Sequence, residues 1–292
     1  MDDIGFAQVV QFLAAPFAAS LILTGIHAYL GVHVVERGVI FVDLSLAQIA
    51  ALGATIALLL PMSGGDPHAP SVYWVSLGFT FIGAAIFSLI RGRRARIPQE
   101  AIIGISYAVA SAAAILAMSK STSQAEHLKD MLVGNIIAVS WHEVYKTAAL
   151  YGGIGLFHYV FRRPFMAISM SHGDPESTGL NVRLWDFLFY ASFGFVVTSS
   201  VAIAGVLLVF CYLIVPSVAA MLYADTVAKR LAIGWTMGAI VSALGVYLSL
   251  ILDLPTGATI VCTFGVVLTL MAVVRPLILW KRAAPQVSGV AR

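Results

Sequence analysis

Charge is what this sequence has least of. Asp, Glu, Lys and Arg together make up 11% of 292 residues, against about 25% in a soluble globular protein. Too few charged side chains remain to cover a water-facing surface, which excludes an ordinary soluble enzyme, a disordered chain and a nucleic-acid binder. Cysteine is also scarce: only Cys211 and Cys262 are present, both inside apolar runs and without CxxC spacing, which argues against a disulfide scaffold or a zinc knuckle. Catalytic signatures are missing too. There is no HExxH and no GxSxG, and His142-Glu143 is half of a metalloprotease motif whose second histidine position holds Lys146. No GxxxxGK[ST] phosphate loop occurs, and no polar stretch is long enough to hold a nucleotide-binding domain. The chain carries no fuel site of its own.

What the sequence does have is hydrocarbon: 60% of its residues are hydrophobic and the mean hydropathy is +0.94. A spanning helix needs about 20 mostly apolar residues, whereas a membrane barrel would show alternating strands of about 10 residues, and no such alternation is seen. The reading is an all-α polytopic membrane protein, a single transmembrane domain over 1–292. Its spans are expected at about 11–34, 44–61, 71–90, 100–119, 143–161, 230–251 and 256–274. The charge-free run 187–224 holds two short spans turning near 198–205, or one broken helix, so the count is eight to nine. The acidic start Met1-Asp2-Asp3 is unlike a cleavable signal sequence, so the first span is expected to drive insertion.

Basic residues set the orientation. With the N-terminus outside, the inner face receives Arg37, Arg91, Arg93, Arg94, Arg96, Arg162, Arg163, Arg183, Lys229, Arg230, Arg275, Lys281, Arg282 and Arg292, which is 14 of 17. Lys120, Lys129 and Lys146 alone fall outside. The positive-inside rule therefore predicts N-out and C-cytoplasmic.

Polar groups at membrane depth are costly and mark candidate pathways. Asp43 stands at the inner start of the second span, with Ser45 and Gln48 after it. His27 and His33 lie in the inner half of the first span, followed by Glu36. Each also has a plain structural role open to it: Asp43 as a helix cap, Gln48 as an interhelical hydrogen bonder, His33 and Glu36 as an i,i+3 interfacial pair. Pro216, behind Cys211 and Tyr212, frees a backbone carbonyl to face a cavity or simply kinks its helix. In the inner loop 162–184, Ser171 to Gly179 reads as a short helix, with Asp174 as cap, Pro175 in its first turn, Glu176 next and Gly179 at its end. Such a polar element on the cytoplasmic face suits docking to a separate ATPase, or is an ordinary loop helix.

These segments resemble the membrane permease of ATP-binding-cassette importers for zinc, manganese or iron. The resemblance rests on Asp174-Pro175-Glu176 with Gly179-Leu180, on Ala204-Gly205-Val206-Leu207-Leu208-Val209 continuing to Val215-Pro216-Ser217-Val218-Ala219-Ala220, on Leu252-Asp253-Leu254-Pro255-Thr256-Gly257-Ala258, and on Gly134-Asn135 with Val139-Ser140-Trp141. It implies alternating access for a divalent metal and no chemical step or bound cofactor in this chain. The implied partners are a second copy of the subunit, a cytoplasmic subunit that binds ATP and an extracytoplasmic metal-binding protein, in the plasma (inner) membrane of a prokaryote. The alternative is a gradient-driven secondary transporter, which would tend to show an inverted repeat; no convincing one is found.

One departure bears on the metal path. The family pattern is Arg, then Asp six residues on, then His four after that. Arg37 and Asp43 fit, but the third position is Ala47, and Gln48 is one residue later. An i,i+4 pair shares a helix face, whereas i,i+5 is turned by about 140°. The Asp/His clamp is therefore not carried over. The expected ligands are Asp43 with His27 or His33 supplying the missing nitrogen, and Gln48 as a weaker donor.

Overall fold

The computed structural model describes residues 6–64, 66, 69–90, 97–119, 134, 136–171 and 175–283. All regular structure among them is helical: α1 (Phe6–Arg37), α2 (Val42–Leu59), α3 (Pro70–Ile90), α4 (Gln99–Met118), α5 (Trp141–Val160), α6 (Arg162–Ser169), α7 (Val182–Met221), α8 (Val227–Leu252) and α9 (Thr256–Ala283), with single 3₁₀ turns at Pro61–Ser63, Ile136–Ala138 and Pro175–Thr178. In hydrocarbon every backbone amide must find its partner within the protein, and a helix does this segment by segment. Seven of these helices, α1 to α4 and α7 to α9, are long and apolar enough to cross a membrane.

α5 falls outside that set because Glu143 and Lys146, together with His142, His158 and its tyrosines, lower its hydropathy. Its start is nonetheless firmly defined. Ser140 Oγ accepts from the Glu143 amide (3.3 Å) while Glu143 Oε2 accepts from the Ser140 amide (2.8 Å), a reciprocal capping box. Glu143 is thereby explained by helix initiation and not by chemistry.

The 40 residues of α7 are not one rod. Gly205 has φ 75° and ψ 160°, a backbone region essentially reserved for glycine. Phe189 packs on His33 of α1, and the Leu213 carbonyl lies against Gly31 of the same helix. A straight helix would place residues 189 and 213 about 36 Å apart at 1.5 Å per residue, yet they meet α1 two residues apart. The chain therefore doubles back at Gly205, giving antiparallel arms 182–204 and 206–221. Gly134, itself at φ 67°, abuts this corner: a Cβ there would lie 2.1 Å from the Ala204 carbonyl carbon. The expected turn within 187–224 thus falls at the last residue of the predicted interval.

The two arms form the core of the bundle. Phe189, Tyr190, Phe193, Val197, Leu208, Tyr212 and Leu213 are fully buried, joined by Leu23 and Leu30 of α1 and Phe264 of α9. Gly31 lets α1 approach the second arm closely, since a Cβ there would sit 2.0 Å from the Leu213 oxygen. Large apolar side chains face outward on α3, α4, α8 and α9, among them Ile82, Leu89, Ile105, Leu116, Ile240 and Leu270. That outer belt matches a lipid solvent.

Candidate functional site

Asp43 sits in the first turn of α2, 1% exposed, and neither of its carboxylate oxygens has a hydrogen-bond partner. It is not the cap: Phe41 occupies that position, and no side chain caps the helix. The Phe41 amide is instead met by Glu100 Oε1 at 2.9 Å. A buried carboxylate with no donor costs several kcal/mol unless something compensates it, so the structural role open to Asp43 in the sequence is not filled. Gln48, 7% exposed, follows on the same helix, and Ala47 in the position of the family histidine is packed into the core.

His27 and His33 are both fully buried on α1, but their ring nitrogens are used differently. His27 Nδ1 donates to the Leu23 carbonyl at 2.8 Å, which leaves Nε2 as the lone-pair nitrogen, buried and without a hydrogen-bond partner. His33 Nδ1 meets Ser169 Oγ at 2.8 Å. Glu36 pairs with Arg230 of α8 and not with His33. His33 and Arg37 share the Ser169 hydroxyl, and the Nε2 of His33, like that of His27, is buried without a partner.

Below His33 the polar groups converge. Arg37 Nε donates to Ser169 Oγ (2.8 Å), Arg37 Nη1 donates to Asp186 Oδ1 (2.7 Å), and the guanidinium lies 3.9 Å from the Phe189 ring centroid. The ion pair is wholly shielded from solvent. His158 of α5 joins from the other side, its Nε2 at 2.8 Å from Ser192 Oγ and its Nδ1 at 3.3 Å from the Tyr29 hydroxyl. Its ring is 6.4 Å from that of His33 and stacks on Phe165 at 4.3 Å.

A cavity of about 820 Å³ opens between α1, α5, α6 and the start of α8. Tyr29, Tyr151, His158, Tyr159, Arg162 and Trp235 supply its polar lining, and His27 stands edge-on to Tyr151 at 6.3 Å. Pro216 and Tyr212 do not line it. Among the described residues no three His, Cys, Asp or Glu side chains are grouped to hold a metal ion. Asp43, His27 and His33 are therefore not drawn together as one three-residue group within a single chain.

Between α5 and α7 lie α6 and the 3₁₀ turn Pro175–Thr178, with Pro175 buried and Gly179 following the turn at φ 70°. The element is a single tight turn and not an α-helix. Asp174 lies outside the described residues; Glu176 is exposed at the turn. Sequence reasoning missed His158, Ser169 and Asp186. The signal for His158 was the one used for His27, a titratable group within an apolar run. Asp186 borders the charge-free stretch, and nothing local marks Ser169.

Comparison with known proteins adds to this geometry. The model of the ABC 3 transport family matches residues 9–275. A manganese transport system membrane protein, MntC of Listeria innocua, is 28% identical over 202 residues, covering 67% of this chain and 71% of that protein. The chelated iron transport system membrane protein YfeC of Yersinia pestis is 24% identical over 251 residues, 86% of this chain and 82% of that one. Among solved structures, PsaBC from Streptococcus pneumoniae in complex with Fab aligns with a TM-score of 0.74 at 21% identity, over 91% of this chain and 94% of that chain. At this identity the likeness is one of fold. With a match spanning nearly its whole length, the chain belongs to the ABC 3 transport family.

Proposed function

We propose that this chain is the membrane permease of an ATP-binding-cassette importer that carries a divalent transition metal into the cytoplasm by alternating access. Two copies form the pathway, a separate cytoplasmic subunit binds and hydrolyses ATP, and an extracytoplasmic protein delivers the metal. The setting is the plasma membrane of a prokaryote, with the N-terminus outside and the C-terminus inside. Counting α5 and both arms of α7 gives nine crossings, and Glu36–Arg230 then lies on the cytoplasmic side with most basic residues. Manganese or iron is favoured over zinc, since relatives are named for those metals.

The observation that carries this reading is the Asp43 carboxylate, buried with both oxygens unpartnered. A hard oxygen donor of this kind suits Mn²⁺ or Fe²⁺ as passing cargo. His27 supplies the nitrogen. A metal-binding imidazole commonly donates its other N–H to a backbone carbonyl, and His27 already does so to Leu23. The Nε2 of His33 is buried and unpartnered as well, but His33 is the poorer ligand because Arg37, bonded to the same Ser169 hydroxyl, repels a second cation there. Asp43 and His27 act as successive stations, each holding the ion weakly enough to release it; Gln48 is a neutral oxygen donor beyond Asp43. The turn 175–179, with Asp174 before it, is the contact for the ATPase subunit through Glu176.

The test is Mn²⁺ uptake into proteoliposomes holding the permease with its ATPase subunit. Asp43→Asn and His27→Ala are expected to raise the KM for Mn²⁺ about ten-fold or more, the loss of one charge-assisted contact, with ATP hydrolysis retained. An unchanged KM in both variants would remove the proposed stations.

A further inference from the structure

We infer that Ser169 is the positioning residue that couples the ATPase-facing turn to the transport helices, because one hydroxyl joins α6 to two residues of α1, one of which is paired to α7. The inference rests on the importer reading above. α6 and the 3₁₀ turn 175–178 pack together, so a force on the turn reaches α6 first. α6 cannot move alone. Phe165 is fully buried and stacks on His158, with Trp185 at 5.4 Å and Phe157 at 5.8 Å. One helical turn further, Ser169 is 2% exposed and bonded to both His33 and Arg37 at 2.8 Å.

The chemistry of a hydroxyl suits this place. It has two acceptor lone pairs and one proton. Arg37 Nε–H takes one lone pair; the second lone pair and the proton remain, so the hydroxyl can pair with His33 Nδ1 in either neutral tautomer of that ring. His33 and Arg37 are i and i+4 on α1, so they share one face, and Arg37 carries the contact onward to Asp186 on the first arm of α7. Displacement of α6 by one hydrogen-bond length breaks both contacts of Ser169 together. Buried hydrogen bonds of this kind are costly to leave unmade, so α1 and α7 follow α6 rather than letting it slide. His33 thus serves position and not ligation, which separates it from His27.

The experiment reads Mn²⁺ imported per ATP hydrolysed by the reconstituted permease–ATPase complex, for wild type, Ser169→Ala and Ser169→Thr. Ser169→Ala is expected to lower that ratio about ten-fold or more, as expected when two buried polar groups lose their shared partner, with ATP hydrolysis within about two-fold of wild type; Ser169→Thr, which keeps the hydroxyl, restores the ratio. A ratio unchanged in Ser169→Ala overturns the inference whatever happens to the absolute rates. If Ser169→Ala fails to assemble, Ser169→Cys is read by the same criterion, its thiol being only a weak donor. Absence of ATP-driven Mn²⁺ uptake in the wild-type complex sinks the importer reading itself, an outcome distinct from either result for Ser169.

Discussion

Removing one member of the Arg37–Asp186 pair should cost far more than removing both. The two side chains are fully shielded and meet at 2.7 Å. At an effective dielectric of about 20, their attraction at this distance is about 6 kcal/mol. Several kcal/mol per ion are spent in desolvating them, so the pair as a whole is close to neutral relative to an apolar isostere. Asp186→Leu leaves a buried guanidinium, and Arg37→Met leaves a buried carboxylate; each is expected to destabilise the subunit by about 3–5 kcal/mol. In Asp186→Leu the cation keeps the Phe189 ring at 3.9 Å, worth up to about 2 kcal/mol when desolvated, so this variant falls at the lower end of the range. The double variant should cost no more than the worse single. The assay is reversible unfolding of the purified subunit in mixed micelles as denaturing detergent is added, run as a four-member cycle. Strict additivity of the two single losses would refute the picture of a mutually dependent buried pair.

Two further outcomes follow from the backbone and the topology. Gly205→Ala forces a side chain onto φ 75°, ψ 160° and should cost about 1–3 kcal/mol in the same unfolding assay, while Gly265→Ala in α9, where a Cβ meets nothing within 4 Å, should be neutral or mildly stabilising. A cysteine at the exposed Glu176 should be labelled by a membrane-impermeant maleimide only in inside-out vesicles; labelling from the outside would invert the proposed topology.

Much of the fold was legible because hydrocarbon leaves a chain few options. The runs free of Asp, Glu, Lys and Arg became α1 to α4 and α8 within about five residues of their expected bounds, while α9 starts where expected and runs nine residues past its expected end, to Ala283. The 187–224 run was legible as a doubled segment because its length is too great for one crossing and scarcely enough for two. Its corner at Gly205 needed the packing of both arms against α1 to be located. The site was only partly readable. Asp43, His27 and His33 announced themselves as polar groups in an apolar stretch, yet which of their atoms are occupied depends on long-range partners. Ser169 meets α1 across 132 to 136 positions of sequence, and Asp186 meets Arg37 across 149. No local pattern encodes such pairings, since they arise only when the arms of α7 and the short α6 close against the end of α1. Glu143 shows the opposite case: half of a suggestive motif in sequence, it is accounted for by a capping box.

The most direct measurement is Mn²⁺ accumulation in sealed proteoliposomes containing this chain and its cognate ATPase subunit, with ATP supplied on the side bearing the ATPase and the ion gradients collapsed by ionophores. The proposal predicts uptake that needs both subunits and ATP and persists without any gradient. Uptake by the permease alone, or uptake abolished by the ionophores with ATP present, would contradict it.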